Sequence, residues 1–303
     1  MSEPKSGRGR FFLFGAFSGC LVAFMFLIGL AILFALADDN EHRFAADKVA
    51  IVSIEGEILE SRDAVEALHK YADNSSVKAI VMRINSPGGA IAPSQEIYEA
   101  IRSTSSKSGK PVIASLDSVA ASGGFYIASA CDEIVANPGS ITGSIGVIMQ
   151  WMDLKDLLSW AKVKPETITS GAMKAAGSPY RDLSDAERTY LQHVSDQLHV
   201  QFIHAVAVGR KGKISEAAVG KIADGRIFTG EEALGLKLVD KLGNLDDAVA
   251  LAAKRAKVAG RPGLIYPRRH DRGLFELLTS SDAQSSVERV LSGRSLRFLY
   301  KWN

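Results

Sequence analysis

Beyond residue 47 the chain alternates short, nearly unbroken apolar runs with stretches whose apolar positions recur at helical spacing, and no other feature constrains the fold as tightly. Lys48–Ile54, Val77–Ile84 and Val112–Leu116 are rich in Val, Ile and Ala at successive positions, so both faces of each run are apolar, as in a strand buried on both sides. Between them lie Arg62–Tyr71, with Val65 and Leu68 on one face, and Ser94–Thr104, with Ile97 and Ile101 four apart. Strands joined by helices of about ten residues make a mostly parallel sheet covered on both faces, an α/β fold.

The same pattern predicts a polar loop over 105–110, a helix over Gly123–Cys131, short strands at Glu133–Ala136 and Ser144–Ile148, a helix over Asp153–Ala161 and a strand at Pro165–Thr169. From Ser184 the character becomes helical. Ser184-Asp185-Ala186-Glu187 places an acid three residues after a capping serine, opening a helix that reaches Val208. Shorter helices follow over 215–222, 230–235 and 245–256, and the segment from Arg261 onward reads as peripheral.

Ahead of this domain, Phe11–Ala37 is 27 residues without a charge. At about 1.5 Å per residue it exceeds the roughly 30 Å hydrocarbon core of a bilayer. Lys5, Arg8 and Arg10 precede it, and Asp38, Asp39 and Glu41 follow, so the basic flank is expected in the cytoplasm and the remainder outside. Ala35-Leu36-Ala37 resembles a signal-peptidase cleavage site, but the apolar region of a cleaved signal spans about 7–15 residues, so an uncleaved anchor is the expectation. The expected divisions are a cytoplasmic N-terminus (1–10), a transmembrane anchor (11–37), a linker (38–47), the folded domain (48–258) and a tail of open role (259–303). A single-pass protein of the inner (cell) membrane, with its domain periplasmic or otherwise extracytoplasmic, is therefore the expectation.

The net charge of +2 carries no basic stripe with interleaved aromatics, which argues against a nucleic-acid partner. The two cysteines, Cys20 and Cys131, make no disulfide framework, and no Cys/His pair has metal-ligand spacing. Neither a metal nor a cofactor is expected.

Four stretches carry candidate chemistry. In Ala121-Ser122-Gly123-Gly124 a serine stripped of bulky neighbours follows a strand and precedes a helix, where backbone N–H groups favour a developing oxyanion. An active serine needs a base. None of the six histidines (His42, His69, His193, His199, His204, His270) lies in a Gly-rich loop or beside a strand end. Lys174, among small and apolar residues in Ser170–Pro179 with no acid nearby in sequence, is the other option. As a base it needs a pKa near 7–8, about 3 units below that of free lysine, and burial without a counter-ion shifts it that way. Ser86-Pro87-Gly88-Gly89 ends a strand and can point backbone N–H groups at a ligand, which with the Gly123 N–H gives two donors for an oxyanion. Ile141-Thr142-Gly143-Ser144-Ile145-Gly146 offers hydroxyls that could hold a neutral amine. Alone, each stretch also reads as an ordinary close-packed turn, and Lys174 as a solvated lysine.

In this order and spacing, Ser-Pro-Gly-Gly at 86–89, Ala-Ser-Gly-Gly at 121–124, Thr-Gly-Ser-Ile-Gly at 142–146 and Lys-x-x-Gly-Ser-Pro at 174–179 resemble the signal peptide peptidase A (protease IV) family in its short single-repeat form. Phe228-Thr229-Gly230-Glu231-Glu232-Ala233, Gly235-Leu236 and Val239-Asp240 fit the later part of that family. The resemblance covers residues 45 to 258 and the position of the anchor. It implies a Clp protease/crotonase-like fold of repeated ββα units and a membrane-anchored serine endopeptidase that degrades remnant signal peptides and other apolar peptides. It implies Ser122 as nucleophile, Lys174 as general base, Ser144 as the hydroxyl that orients the lysine, and the backbone of Gly89 and Gly123 as oxyanion hole. It further implies a homo-oligomer, an octameric ring in which serine and lysine of one site come from neighbouring subunits. Two rivals remain: a crotonase-type acyl-CoA enzyme, which would not need Ser122, and a non-catalytic membrane scaffold.

Overall fold

The computed structural model describes residues 25–30, 47–267 and 297–301. Its strands and helices in chain order are β1 (Lys48–Glu55), α1 (Arg62–Asp73), β2 (Val77–Ser86), β3 (Gly88–Ala90), α2 (Ile91–Ser108), β4 (Val112–Ala121), α3 (Gly123–Ser129), β5 (Glu133–Ala136), β6 (Ile141–Gly143) and β7 (Ile148–Gln150). These are followed by α4 (Lys155–Trp160), α5 (Asp185–Gly209), α6 (Glu216–Ile222), β8 (Ile227–Thr229), α7 (Gly230–Gly235), β9 (Lys241–Leu242), α8 (Leu245–Arg255), β10 (Gly263–Ile265) and β11 (Arg297–Lys301).

The main sheet runs β10-β1-β2-β4-β5-β9, with β6 beside the far end of β4 and β8 beside β6. Every pairing in it is parallel except β6 with β8. Alternate residues of the strands serve opposite faces. Ala50, Val52, Ile80, Met82 and Ala114 face the larger core, where α1, α2, α3 and α5 contribute Leu68, Ile101, Phe125 and Phe202. Val49, Ile51, Ala79, Val81 and Ile113 face a smaller core closed by Ala248, Leu251 and Ala252 of α8. Burial on both faces explains why these strands carry apolar residues toward both faces.

Helix ends follow local chemistry. The capping box at Ser184 forms as its sequence implies, with the Glu187 N–H donating to Ser184 Oγ at 3.3 Å and the Ser184 N–H to Glu187 Oε2 at 3.0 Å. Thr229 with Glu232 and Asn244 with Asp247 repeat the device. The expected polar loop at 105–110 is largely helix. Its serines and lysine sit on the outer side of α2, which ends only where Gly109 turns left-handed at φ 68°.

Two expected strands are corrected. Residues 144–147 are not a strand: Ser144 adopts φ 51° and donates its N–H to Arg226 O at 2.8 Å, so the apolar run divides between β6 and β7. Pro165–Thr169 is irregular, with Ile168 fully exposed, because β-branched composition makes no strand without an edge to pair with. The main sheet also continues past residue 258, since β10 pairs with β1.

Among the described residues no helix is long and apolar enough to cross a membrane. Of the expected anchor at 11–37 only residues 25–30 are described, and they are helical. Residues 1–24, 31–46, 268–296 and 302–303, which include the expected N-terminus, most of the linker and most of the tail, lie outside the described residues.

Candidate active site

Ser122 stands at the sharp turn from β4 into α3. Its backbone lies at φ 52°, ψ −117°, a region that costs a residue with a Cβ about 1–3 kcal/mol. Bonds on both sides hold it there. The Ser122 N–H donates to Gly143 O at 2.8 Å, and the Tyr126 N–H donates to Ser122 O at 2.8 Å. Tyr126 is in turn wedged between the rings of Tyr98 and Phe202, with centroids 5.1 and 5.0 Å away. Burial, reinforced by the neighbouring Tyr98, pushes the Tyr126 hydroxyl up to about 12, so it stays protonated. The Ser122 hydroxyl is buried and has no hydrogen-bond partner among the described residues. An unpaired buried hydroxyl costs about 1–3 kcal/mol, so a structural serine would be expected to have found a partner.

The end of β2 meets this turn. Ser86 pairs with Ala120, and a Cβ on Gly124 would lie 3.0 Å from Ser86 O. The Ser86 hydroxyl accepts from the Gly88 N–H at 3.1 Å and shapes the loop into β3. Ile58 then clamps β3. Its N–H donates to Gly88 O at 2.9 Å and its carbonyl accepts from the Ala90 N–H at 2.7 Å. The contact is so close that a Cβ on Gly89 would lie 2.1 Å from Ile58 O, and this is why glycine stands there. Ile58 went unnoticed in the sequence, where the first strand ends at Glu55-Gly56; an apolar residue just past that turn was its only signal.

The third stretch lies on the other side. β6 pairs with the end of β4, with Ala121 opposite Gly143, and Thr142 Oγ1 donates to Ala120 O at 2.7 Å. Gly143 takes φ 79°, and a Cβ there would meet the Phe228 ring at 2.5 Å. Ser144 follows, buried, with its own φ at 51°. Phe228 thus seals the turn that presents Ser144. Residues 86–89, 121–124 and 142–144 therefore converge, with Gly89 on β3, Gly123 opening α3 and Ser144 just past β6.

Lys174 makes no hydrogen bond to the Ser122 hydroxyl. It sits in a run of turns, its N–H donating to Gly171 O at 3.1 Å, and its side chain is exposed. The arm that carries it, residues 151–183, is almost wholly solvent-facing. Met152 and Trp160 are 74% and 82% exposed, and α4 has no buried residue. Arg181 ties the arm to α5 by donating to Glu187, and it holds that carboxyl down to about 2.

Among the described residues no histidine bonds the Ser122 hydroxyl, and His204 pairs with exposed Glu216 at 3.1 Å. Burial pushes the Cys131 thiol well up, so it is no nucleophile. Among the described residues no group of His, Cys, Asp or Glu is placed to hold a metal ion. Behind the site, fully buried Arg210 makes a two-pronged pair with Asp240 at 2.6 and 2.9 Å, and Asp240 also accepts from Lys213 at 2.6 Å and from the Ile134 N–H at 2.8 Å. Burial would raise the Asp240 carboxyl, but the hydrogen bonds from Arg210 and Lys213 outweigh it and hold the group below its ordinary value.

Residues 104–259 match the family model described as Peptidase family S49, and residues 38–142 match that of Clp protease. A putative protease of Synechocystis sp. is 40% identical over 249 residues, covering 82% of this chain and 84% of that protein. Protease 4 of Haemophilus influenzae is 34% identical over 226 residues, 71% of this chain but 36% of the longer relative. A putative signal peptide peptidase SppA of Enterococcus faecium is 35% identical over 199 residues, 66% of this chain and 57% of that protein. With its Clp protease-like, mostly parallel α/β sheet, the chain belongs to peptidase family S49 and is a serine-type peptidase.

Proposed function

We propose that this peptidase is a membrane-anchored endopeptidase that works through a Ser122/Lys174 dyad and clears signal-peptide remnants. The observation that carries the reading is the Ser122 hydroxyl, buried without a partner among the described residues on a strained backbone between two glycine-bearing turns. In the mechanism, neutral Lys174 takes the Ser122 proton as Oγ attacks the peptide carbonyl. Backbone N–H groups of Gly89 and Gly123 receive the oxyanion. Lys174 returns the proton to the leaving amine, and water cleaves the acyl-enzyme. Ser144 orients the lysine.

Because Lys174 is exposed on an arm with apolar side chains in solvent, the base is supplied to the Ser122 site of a neighbouring copy. Packing of the arm against that copy removes Met152 and Trp160 from water and desolvates the amine, which is the change a lysine base requires. This supports a closed homo-oligomer, an octameric ring in the fullest form of the proposal. The span 11–37 holds the ring on the membrane, with residues 1–10 inside, 38–47 as tether, the peptidase domain extracytoplasmic and 259–303 as its tail. Spent signal peptides stay in that membrane, and a relative named as a putative signal peptide peptidase agrees with this substrate. The test is turnover of a fluorogenic apolar peptide by the assembled protein. Ser122→Ala and Lys174→Ala each abolish it, and mixing the two inactive variants restores part of it, because one copy then lends its lysine to the serine of another. Full activity in either single variant overturns the dyad.

A further inference from the structure

The turns that carry Lys174 have little support of their own. Lys174, Ala176 and Ser178 donate their N–H groups to Gly171 O, Met173 O and Ala175 O, each at 3.1 Å, so each of these bonds spans only three residues. A tie reaches this run from beyond it. Arg181 Nη2 donates to Ala175 O, one residue past Lys174, at 3.1 Å. The same guanidinium donates to both oxygens of Glu187, from Nη1 to Oε2 at 2.9 Å and from Nη2 to Oε1, and Nη1 also donates to Asp182 O at 3.0 Å. Glu187 is itself held, since its Oε2 accepts from the Ser184 N–H and the Ser184 hydroxyl, both at 3.0 Å. It lies in the first turn of α5, whose Phe202 and Val206 are buried in the larger core. A chain of contacts therefore runs from that core through α5 and Glu187 to Arg181 and the Ala175 carbonyl.

We propose that Arg181 is a positioning residue for the general base: braced by Glu187, it fixes the main chain at Ala175 and with it the direction in which the Lys174 side chain leaves the arm. The inference rests on the reading of Lys174 as base. Its physical ground is the contrast between how completely the tie is built and how little it can add to folding. The Arg181 side chain is 45% exposed, and ion pairs that open to water contribute little to stability. Yet Glu187 is buried while the residues on either side of it are exposed, and the guanidinium is satisfied along its whole fork. Only a planar fork grips a carboxylate and a carbonyl in fixed directions at once, and an ammonium group does not. A lysine base must come within hydrogen-bond reach of its hydroxyl, and a displacement of about 1 Å at a reacting centre costs on the order of 100-fold in rate. A long side chain rooted in loose turns would meet that demand in few of its orientations.

The test is steady-state turnover of a fluorogenic apolar peptide by the full chain carrying Arg181→Ala. The expected result is a kcat lower by about 100-fold with KM within about twofold of the parent, because the tie bears on the base and not on peptide binding. Sedimentation is unchanged, and millimolar methylguanidinium restores part of the lost kcat while leaving the parent unaffected. Arg181→Lys keeps the charge without the fork and falls as well, which carries the test if Arg181→Ala does not fold. Glu187→Gln lowers kcat too, and adding it to Arg181→Ala slows the enzyme no further, since both remove one strut. Lys155→Gln is the control: it breaks another ion pair of the arm, that with Asp182, and keeps kcat. A kcat for Arg181→Ala within about threefold of the parent, while Lys174→Ala is inactive, overturns the inference and leaves the dyad standing. An equal loss in Lys155→Gln, or a loss with altered sedimentation and no recovery by methylguanidinium, marks Arg181 as merely structural and overturns it as well. Full activity in Lys174→Ala removes the base itself, and the inference falls together with the dyad.

Discussion

Gly89→Ala tests the proposed role of the Gly89 N–H as a donor to the oxyanion. The added methyl carbon would fall 2.1 Å from Ile58 O, 2.5 Å from Ile58 N and 2.7 Å from Ile58 C. All three are backbone atoms, so no side-chain rotation relieves the clash. Ordinary contact requires β3 and the Ile58 segment to separate by roughly 1 Å, and a displacement of that size at a reacting centre costs on the order of 100-fold. Loss of one oxyanion donor costs about 10²–10³ in kcat, so the two estimates agree. Overpacking of this kind destabilises by about 1–3 kcal/mol, or roughly 2–4 °C in Tm for each kcal/mol in a domain of this size. The variant should therefore fold and melt within several degrees of the parent while losing about 100-fold in kcat on a fluorogenic peptide. Gly139→Ala is the matched control, since nothing lies within 4 Å of a Cβ there, and it leaves both quantities unchanged. Ile58→Ala does not rescue Gly89→Ala, because the clash is with main chain. A Gly89→Ala protein that folds and keeps kcat within twofold would show that the Gly89 N–H does not receive the oxyanion.

Three further outcomes follow from the same structure. Asp240→Ala strips the fully buried Arg210 of its carboxylate partner and should cost about 3–5 kcal/mol, read as a large fall in Tm; a change under 1 kcal/mol would mean that water replaces the pair. Glu187, held near 2 first by Arg181 and then by the Ser184 N–H, has a folded pKa below its unfolded value near 4.5. Its contribution to stability is complete above the unfolded value and is lost as pH falls toward 2, so Glu187→Gln should flatten the melting curve against pH in that window, and parallel slopes would refute the assignment. Gly143→Ala meets the Phe228 ring and the strain of a positive φ, so activity falls with stability, and Phe228→Ala in the same chain recovers only the steric part.

How much of this was legible in the sequence depends on the range of the interaction. The helix start at Ser184 is a four-residue device and could be read directly. So could β1, β2 and the start of β4, whose apolar positions on both faces announce burial. The serine, the glycine pairs and the lysine could be picked out as candidates because residue type limits chemistry. Pro165–Thr169 and Ser144–Ile148 misled for the opposite reason. A strand is completed by its neighbour, and neither composition reveals whether an edge is free to receive it.

The sequence by itself determined the α/β class, the order of the candidate stretches and the residues able to act, because each depends on short-range patterning and side-chain identity. Only the tertiary structure decided that the turns at 86–89, 121–124 and 142–144 meet, that Ile58 presses on Gly89, that Lys174 is exposed on a solvent-facing arm, and that β11 comes from the far end of the chain to lie between β3 and β7. Those outcomes are fixed by which backbone edges and apolar faces remain unmatched once the sheet has formed, a property of the assembled fold and of no single stretch of residues.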